Sequence, residues 1–352
     1  MVQALILAGG EGRRMSDITA HVPKPLLYLP GGTLLEYQLA QLAQLGISHT
    51  FVVIHHEAEQ IERALHGLEG VTLVRQRPPL TLLGALASAE AHVTELCLVL
   101  HSDNYFSNGL GYLLREAQNT PSGFNATFLV ESRTHPQNKA RRLASTGCYV
   151  LSPEVLSATS TLKHADGLWH LTARLLESGA MVREVRLQGW RSNINHLTDL
   201  LNASRRILED WSERFHPSRA AAGYNRTEGC RNAELPLWIS SDSQVTDSDL
   251  GPNVVVGPKA RVNGCELREV IVFPGAGIVG QRVEGGVVVP TKTGSLVLTS
   301  QEQMHGRQKS HSQEEPAELP PTADQEPHPS QEKRCKGDDL HQAIGGSFQA
   351  SD

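Results

Sequence analysis

Short apolar runs alternate with amphipathic segments through the first 215 residues of the chain. Two of the amphipathic segments, Leu34–Leu45 and Leu197–Leu208, repeat their apolar positions at helical spacing. Strands that alternate with helices form parallel sheets covered on both faces, so the pattern predicts an α/β domain with a doubly wound, mostly parallel sheet. The apolar runs predicted as strands are Gln3–Ala8, Thr50–His55, Val71–Val74, Leu96–Leu100, Ala126–Val130, Cys148–Leu151 and Val182–Leu187.

A different periodicity begins at residue 237. Aliphatic residues recur six positions apart, as at Leu250, Val256 and Val262, and Gly-Pro follows the first two of them. Six-residue repeats of this kind are typical of a parallel β-helix, and they resemble those of the hexapeptide left-handed β-helix. Residues 237–292 are therefore predicted to form a short left-handed β-helix, with ordinary short strands and turns as the alternative.

Two further segments have no clear periodicity. Residues 216–236 are mostly small and polar, and we interpret them as a linker that follows the α/β domain of residues 1–215. Residues 293–352 are rich in Gln, Glu, Ser, His and Pro, and Phe348 is their only aromatic residue. Because such a composition buries too little apolar surface to offset the entropy of ordering, a disordered tail is predicted.

Composition narrows the possible classes of function. The net charge is −6 and the chain has no long basic run, which disfavours a dedicated nucleic-acid binder. No apolar stretch is long enough to cross a membrane, and Val2–Ala8 is too short for a signal peptide. The five cysteines form no CxxC pair, so neither a zinc site nor a disulfide framework is expected. We therefore expect a soluble, cytoplasmic protein that binds neither nucleic acid nor membrane.

The strongest functional signal is a glycine-rich loop after the first predicted strand. Leu7–Met15 reads LAGGEGRRM, and Lys24 follows in the string PKPL. Glycines let a phosphate approach backbone N–H groups, arginine offers a planar fork of donors, and lysine adds a point charge. Together these groups can hold a triphosphate and stabilise the charge that develops during phosphoryl transfer. The alternative is a glycine turn with incidental surface arginines.

Two better-known phosphate loops do not fit this string. A Walker loop requires GxxxxGK followed by Ser or Thr, and the sequence contains no such string. A dinucleotide-binding loop requires GxGxxG, whereas Gly10-Glu11-Gly12 is followed by Arg13, Arg14 and Met15.

The strings LAGGEGRRM and PKPLL resemble the signature of the sugar-phosphate nucleotidyltransferases, which is written GxGxR and PKP. The resemblance covers about residues 2–215, and the six-residue repeats fit family members with a C-terminal left-handed β-helix. It implies a Rossmann-like fold and an Mg²⁺-dependent enzyme. Such an enzyme transfers a nucleotidyl group from a nucleoside triphosphate to a sugar 1-phosphate and releases pyrophosphate.

The resemblance also implies roles for individual residues. Arg14 would bind and polarise the triphosphate, and Lys24 would contact the reacting phosphates, so both are predicted to be catalytic. Arg13 lies where the family usually has Thr or Ser. Leu82 replaces a usual Gly in the segment after Gln76, which is expected to change the path of that loop. The predicted nucleotide-binding residues are Leu7, Gly9, Gly10, Gly12, Arg13 and Gln76.

Metal ligands are predicted at two places. Asp103 follows a buried strand in the string HSDNYF, which resembles the family element GDNxF, and a carboxylate there can bind Mg²⁺. The second ligand would come from the string WRSNIN, where Asn193 stands in place of the usual Asp and Asn195 in place of the usual Gly. We predict Asn195 as the ligand and keep Asn193 as the alternative, and a plain turn before a helix is also open.

The acceptor side departs further from the family. Gly147 lies in the string ASTGCYV, which matches a sugar-contacting family strand, so Gly147 is the predicted sugar-binding residue. The usual EKP string is absent. Lys139, Arg141 and Arg142 are candidates to replace its lysine, although a solvated basic turn is the preferred interpretation. The two sugar-contacting glutamates of the family are missing from residues 167–173, which read GLWHLTA.

Three hypotheses of function follow. The first is an active enzyme whose partners are a nucleoside triphosphate and a sugar phosphate. The second is a regulatory subunit that binds nucleotide without catalysis, because the glutamates and a metal-binding aspartate are missing. The third, an acyltransferase, is disfavoured because Ile239–Val289 contains no histidine. The β-helix is expected to pack on the first domain or to support a homo-oligomer.

Overall fold

The computed structural model describes residues 2–119, 125–134, 141–165, 167–211 and 223–300. The elements of the first half are β1 (Val2–Leu7), α1 (Ser16–Thr19), β2 (Tyr28–Leu29), β3 (Gly32–Thr33), α2 (Leu34–Gln44), β4 (Thr50–Ile54), α3 (Ala58–Leu65), β5 (Val71–Arg75), α4 (Leu82–Ala89), β6 (Leu96–His101), β7 (Asn104–Phe106) and α5 (Gly111–Gln118). Three short 3₁₀ helices lie at Arg13–Met15, Lys24–Leu26 and Glu90–His92.

The second half continues with two long strands and three helices before the β-helix. Its elements are β8 (Asn125–Thr134), β9 (Arg141–Leu151), α6 (Pro153–Leu162), α7 (Leu168–Glu177), β10 (Met181–Arg186), β11 (Arg191–Asn193), α8 (Leu197–Glu209), β12 (Cys230–Ala233), β13 (Leu237–Ile239), β14 (Gln244–Thr246), β15 (Ser248–Leu250), β16 (Val254–Val256), β17 (Arg261–Asn263), β18 (Glu266–Val272), β19 (Gly277–Val279), β20 (Arg282–Thr291) and β21 (Gly294–Thr299).

A seven-stranded sheet in the order β10-β8-β9-β6-β1-β4-β5 forms the centre of the first domain. Only β9 runs antiparallel to its neighbours β6 and β8, and the other pairs are parallel. Every apolar run predicted as a strand is part of this sheet, so the predicted α/β fold is confirmed. The carboxyl ends of β1, β4, β5 and β6 lie at one edge, where open α/β sheets bind their ligands.

Helices cover both faces of this sheet because successive strand residues point to opposite sides. Leu5 and Val99 face one buried cluster, which contains apolar residues of α4, α6 and α7. Ile6 and Leu100 face the other cluster, which contains residues of α2, α3 and α5. The doubly wound arrangement therefore follows directly from strands that are apolar on both faces.

The C-terminal region is a stack of parallel strands, which confirms the predicted β-helix. One side stacks β13, β16, β18 and β20, and a second side stacks β14, β17 and β19. The six-residue spacing places aliphatic residues inside the coil, where Val256, Val262 and Leu267 are buried. The third side is formed by β12, β15 and the first halves of β18 and β20.

Two boundaries differ from the prediction. The segment interpreted as a linker contains β12, which extends the β-helix because Arg231 and Asn232 bond to Asp249 on β15. The predicted tail begins with β21, an antiparallel partner of β20 whose residues Leu296–Leu298 pack on the core. This run of three apolar residues is too short to indicate a strand within a polar segment. Residues 212–222 and 301–352 lie outside the described residues.

A single apolar cluster joins the β-helix to the first domain. Leu200 and Ile207 of α8, and Leu29 of β2, belong to the same cluster as Val255 and Ile271 of the β-helix. All three residues of β16 are buried, since one side faces the coil interior and the other faces neighbouring elements. The β-helix therefore packs against the first domain.

Ile271→Ala is expected to lower the free energy of unfolding by about 2–5 kcal/mol, because the side chain is fully buried in this shared cluster. Val279→Ala is the matched control on the β-helix surface, where Val279 is 66% exposed, and its effect should stay within about 0.5 kcal/mol. Urea denaturation followed by circular dichroism measures both. Equal effects for the two variants would contradict the shared core.

Candidate active site

A cleft of about 540 Å³ opens at the carboxyl edge of the central sheet. Residues at the carboxyl ends of four strands line this cleft. They are Leu7 at the end of β1, His55 after β4, Gln76 after β5 and Ser102 after β6. The structure brings together eight of the predicted site residues in its lining: Leu7, Gly9, Gly10, Gly12, Arg13, Lys24, Gln76 and Asp103.

The glycines of the loop after β1 serve different purposes. Gly12 has φ 66°, and its carbonyl accepts from the hydroxyl of Thr19 at 3.1 Å. A Cβ on Gly9 would lie 2.8 Å from Oε1 of Gln76. A Cβ on Gly10 would meet no described atom within 4 Å. The left-handed backbone therefore favours glycine at residue 12, a Cβ at residue 9 would have to displace the end of the Gln76 side chain, and the space beside Gly10 is open to a ligand.

Gly10→Ala is expected to leave stability unchanged within about 0.5 kcal/mol. It should weaken nucleoside triphosphate binding by about 10- to 100-fold, because a hydrogen bond to a charged group contributes roughly 1.5–3 kcal/mol. Gly12→Ala is the contrasting variant and should lose about 1–2 kcal/mol of stability from its left-handed backbone. Thermal melts and nucleotide titrations separate the two effects. Unchanged nucleotide affinity in Gly10→Ala would contradict a phosphate role for Gly10.

The two arginines of the loop differ in position. Arg13 lines the cleft and forms an exposed ion pair with Glu11 at 2.5 Å, an interaction that contributes little in water. Arg13 is thus available to exchange Glu11 for a phosphate. Arg14 is exposed on the same 3₁₀ helix and is not part of the cleft lining.

Lys24 connects the cleft to both predicted metal-binding segments. Its Nζ donates to Oδ2 of Asp103 at 2.9 Å and to Oδ1 of Asn195 at 2.8 Å. Asp103 lies in the turn between β6 and β7, and Asn195 lies just before α8. The carboxylate of Asp199 accepts from the backbone N–H of Asn195 at 3.0 Å and so fixes this second segment.

The electrostatics of this group favour an ionised Asp103. Burial raises the pKa of its carboxyl, but the charge and hydrogen bond of Lys24, together with the charges of His101 and Arg191, outweigh burial, and the pKa lies below its ordinary value. His101 at the end of β6 behaves differently. Burial lowers its pKa, against the opposing effect of Asp103, so the ring is neutral at pH 7.

The oxygens around Lys24 suit a magnesium ion. Asp103 and Asn195 aim one oxygen each at a single cationic point, and carboxylate and amide oxygens are ligands that Mg²⁺ accepts. Within the described residues, no group of three or more His, Cys, Asp or Glu could hold a metal. A bound Mg²⁺ would therefore depend on these two oxygens together with phosphate oxygens and water.

Asn193, the alternative ligand, is not one of the two oxygen partners of Lys24. It is opposite Asn104 in the antiparallel pair of β11 and β7, and the described residues offer its buried Oδ1 no hydrogen-bond donor. The contact of Asn195 with Lys24 agrees with the choice of Asn195, while the ligand role itself stays a prediction.

Gly147 lies at the other side of the Asp103 turn. Its φ is 73°, and a Cβ there would lie 2.9 Å from Nδ2 of Asn104 and 3.1 Å from the ring of His101. Nε2 of His101 is 3.2 Å from the hydroxyl of Tyr149. Lys139 lies outside the described residues, as do the side chains of Arg141 and Arg142.

The segment after β5 forms the remaining wall. Gln76 donates from Nε2 to the carbonyl of Thr81 at 2.9 Å, and Thr81 caps α4 by accepting from the N–H of Gly84. Leu82 is the first residue of α4, so the leucine that replaces a usual glycine is accommodated by starting the helix there. Leu80 is 52% exposed at the cleft.

Several site residues had no sequence signal strong enough to single them out. His55, Thr81, His101 and Ser102 line the cleft, and each lies close to the end of a predicted strand or the start of a helix. Arg191 contacts Asn104 beside the metal-binding segments. The rule that ligands bind beyond strand ends would have found His101 and Ser102.

Comparison with known proteins places the chain in a family. The family described as the MobA-like NTP transferase domain matches residues 4–179. The chain belongs to this family. The matched region of this NTP transferase contains the glycine loop, Lys24, Asp103 and Gly147, whereas Asn193 and Asn195 lie beyond it. The resemblance to nucleotidyltransferases found in the sequence is therefore confirmed.

Two of the similar proteins have names that contain glucose 1-phosphate. A glucose-1-phosphate thymidylyltransferase of Streptomyces antibioticus is 25% identical over 331 residues, covering 82% of this chain and 92% of the relative. A UTP–glucose-1-phosphate uridylyltransferase of Haloferax volcanii is 26% identical over 243 residues, covering 60% of this chain and 99% of the relative. These relatives agree with the class of nucleotidyltransferase.

A solved structure agrees with the fold. The crystal structure of a Bacillus anthracis protein named for glucose-1-phosphate thymidylyltransferase superposes with a TM-score of 0.51 at 20% identity. The match covers 58% of this NTP transferase and 94% of the other chain. Among the described residues, none of the helices has the length and apolar character needed to cross a membrane.

Proposed function

We propose that this NTP transferase moves a nucleotidyl group from a nucleoside triphosphate to a sugar 1-phosphate and releases pyrophosphate. The strongest support is the position of Lys24, which bonds to Asp103 and Asn195 at the edge of a cleft lined by the glycine loop. The relatives named for glucose 1-phosphate support a hexose 1-phosphate as the acceptor.

The loop and its cations would bind the triphosphate. The N–H groups around Gly10 would face the phosphates, and Arg13 would exchange Glu11 for a phosphate oxygen. Arg14, which is exposed beside them, would reach the outer phosphates once nucleotide is bound. Leu7 and Gln76 would contact the nucleoside, and the exposed Leu80 would pack on the base.

Lys24 would leave its two oxygen partners and contact the reacting phosphates. The acceptor phosphate then attacks the α-phosphorus in line, so that a P–O bond forms as the bond to pyrophosphate breaks. The chain contributes position and charge, and no covalent intermediate is required. Asp103 and Asn195 would hold Mg²⁺, which would supply positive charge to neutralise the phosphates.

The acceptor would bind on the Gly147 side of the Asp103 turn. Gly147 is half-buried, and Asn104 and His101 fill the space that a Cβ would take, so a sugar ring would contact the strand edge beside these two side chains. A neutral His101 can both donate and accept a hydrogen bond to a hydroxyl group. These groups would take over sugar contacts that the missing glutamates make in similar enzymes.

A second candidate function is a regulatory subunit that binds nucleotide without turnover. The observation that favours it is the neutral Asn195 opposite Asp103, because one carboxylate holds Mg²⁺ less tightly than two. Thermal stabilisation by nucleotides without any product would support this candidate.

The proposal also includes a cytoplasmic location and a homo-oligomer formed through the β-helix.

Pyrophosphate release tests the proposed function. The wild-type protein is assayed with dTTP, UTP, GTP, CTP and ATP against glucose, N-acetylglucosamine and mannose 1-phosphates in the presence of Mg²⁺. We expect at least one pair to give turnover that is removed by Asp103→Ala. Nucleotide binding with no turnover for any pair would favour the regulatory subunit instead.

A further inference from the structure

Arg191 is a buried arginine beside the proposed metal site, and no sequence motif singles it out. Its side chain is 3% exposed and donates to three acceptors on three different strands. Nη2 donates to Oε1 of Glu131 on β8 at 2.6 Å. Nη1 donates to the carbonyl of Thr146 on β9 at 3.2 Å and to Oδ1 of Asn104 on β7.

The contact with Asn104 determines which way its amide faces. A guanidinium group can only donate, so the amide must turn its oxygen toward Arg191. Nδ2 of Asn104 then faces Asp103 and donates to Oδ1 of that carboxylate at 2.7 Å. With Oδ1 occupied in this way, Oδ2 of Asp103 is the oxygen that meets Lys24.

The burial of this arginine is balanced locally. Glu131 neutralises its charge, and the Glu131 side chain is 22% exposed, so the pair is only partly removed from water. Lysine could not replace the arginine, because an ammonium group lacks the planar fork that reaches two side chains and a carbonyl at fixed angles. The arrangement requires an arginine at this position.

We propose that Arg191 is a positioning residue that orients Asp103 for a divalent cation through the side chain of Asn104. The proposal rests on the proposed function only in assigning a metal role to Asp103. Arg191 itself touches neither metal nor substrate. Ligands to metal ions are commonly oriented by hydrogen bonds from a second layer of residues, and loss of such a partner typically weakens metal binding by 10- to 100-fold.

Binding of Mn²⁺ tests this proposal without any turnover. Electron paramagnetic resonance measures free Mn²⁺ in the presence and absence of methylenediphosphonate. This compound is an analogue of pyrophosphate and contains no nucleotide base. The variants are Arg191→Met, Glu131→Gln and the double variant that combines them. Arg183→Met is the control, since Arg183 forms a separate, partly exposed pair with Glu116.

The double variant separates positioning from folding. Removing both charges avoids a buried unpaired group, so the double variant should fold even if Arg191→Met does not. We expect its Mn²⁺ affinity to fall by about 10- to 100-fold. Glu131→Gln alone keeps Arg191 on Asn104 and should stay within twofold of wild type, as should Arg183→Met.

A folded double variant that binds Mn²⁺ as tightly as wild type would overturn the proposal and leave Arg191 a structural residue. Absence of Mn²⁺ binding in the wild-type protein would overturn it as well. Failure of the proposed function gives a different result, because pyrophosphate release would then be absent while the Mn²⁺ affinities could still differ between variants. The double variant should also need a higher Mg²⁺ concentration for turnover than wild type. If its KM for nucleotide is unchanged, that result would support a positioning role for Arg191.

Discussion

Lys24→Met is expected to lower kcat/KM for pyrophosphate formation by about 10²–10³-fold, which corresponds to roughly 3–4 kcal/mol for the loss of one preorganised donor. Lys24 is the cation that the fold holds at the junction of the cleft and the Asp103 turn, and methionine keeps much of its length without the charge. A loss in kcat with little change in nucleotide KM would assign the interaction to the transition state.

A second readout follows from the position of Lys24. Because its ammonium group occupies the point where the oxygens of Asp103 and Asn195 converge, a divalent cation must compete with it. Lys24→Met should therefore bind Mn²⁺ more tightly than wild type when no nucleotide is present. Lys163→Met is the matched control, since that side chain is exposed at the end of α6 and should affect neither property. Wild-type activity in Lys24→Met would contradict the role given to Lys24.

Asp103→Asn is expected to reduce turnover to a similar extent, by about 10²–10³-fold. The change keeps the shape of the side chain and removes the only carboxylate among the three predicted metal ligands. Its pair with Lys24 is mostly buried, with side chains 13% and 25% exposed, so the loss of one charge should also lower the free energy of unfolding, by about 1–3 kcal/mol. Steady-state kinetics with a Mg²⁺ titration, together with thermal melts, measure both effects.

Two variants make the Asp103 result specific. Asp17→Asn removes an exposed carboxylate on α1, near the glycine loop, and should leave turnover unchanged. Asn195→Asp adds a carboxylate at the second oxygen position and should tighten Mg²⁺ rather than weaken it. If Asn193→Asp tightened Mg²⁺ and Asn195→Asp did not, the alternative ligand would be the correct one.

The fold could be predicted from sequence because its strands are apolar on both faces. Val99 and Leu100 point to opposite layers and are both buried, so the run around them stands out in the sequence. The short strands β12 and β21 could not be predicted in this way. Each owes its conformation to pairing with the edge of an existing sheet, and neither contains enough apolar residues to indicate a strand alone.

The parts of the candidate site that could be predicted are those whose loop residues and charged side chains lie within one short string of the sequence. The glycine loop is of this kind, and so is the lysine of the string PKPL. The choice between Asn193 and Asn195 depends instead on which side chain meets Lys24, and 171 positions separate Lys24 from Asn195. The contacts of Arg191 with Glu131 and Asn104 span 60 and 87 positions, so no local pattern could reveal them.

In the proposed reaction a sugar phosphate attacks the α-phosphorus of a nucleoside triphosphate in this cleft. A sugar 1-phosphate labelled with ¹⁸O on its phosphate, with the products analysed by mass spectrometry, tests this step. All of the label should appear in a nucleotide sugar and none in pyrophosphate. Label in pyrophosphate, or nucleotide hydrolysis with no nucleotide sugar, would contradict it.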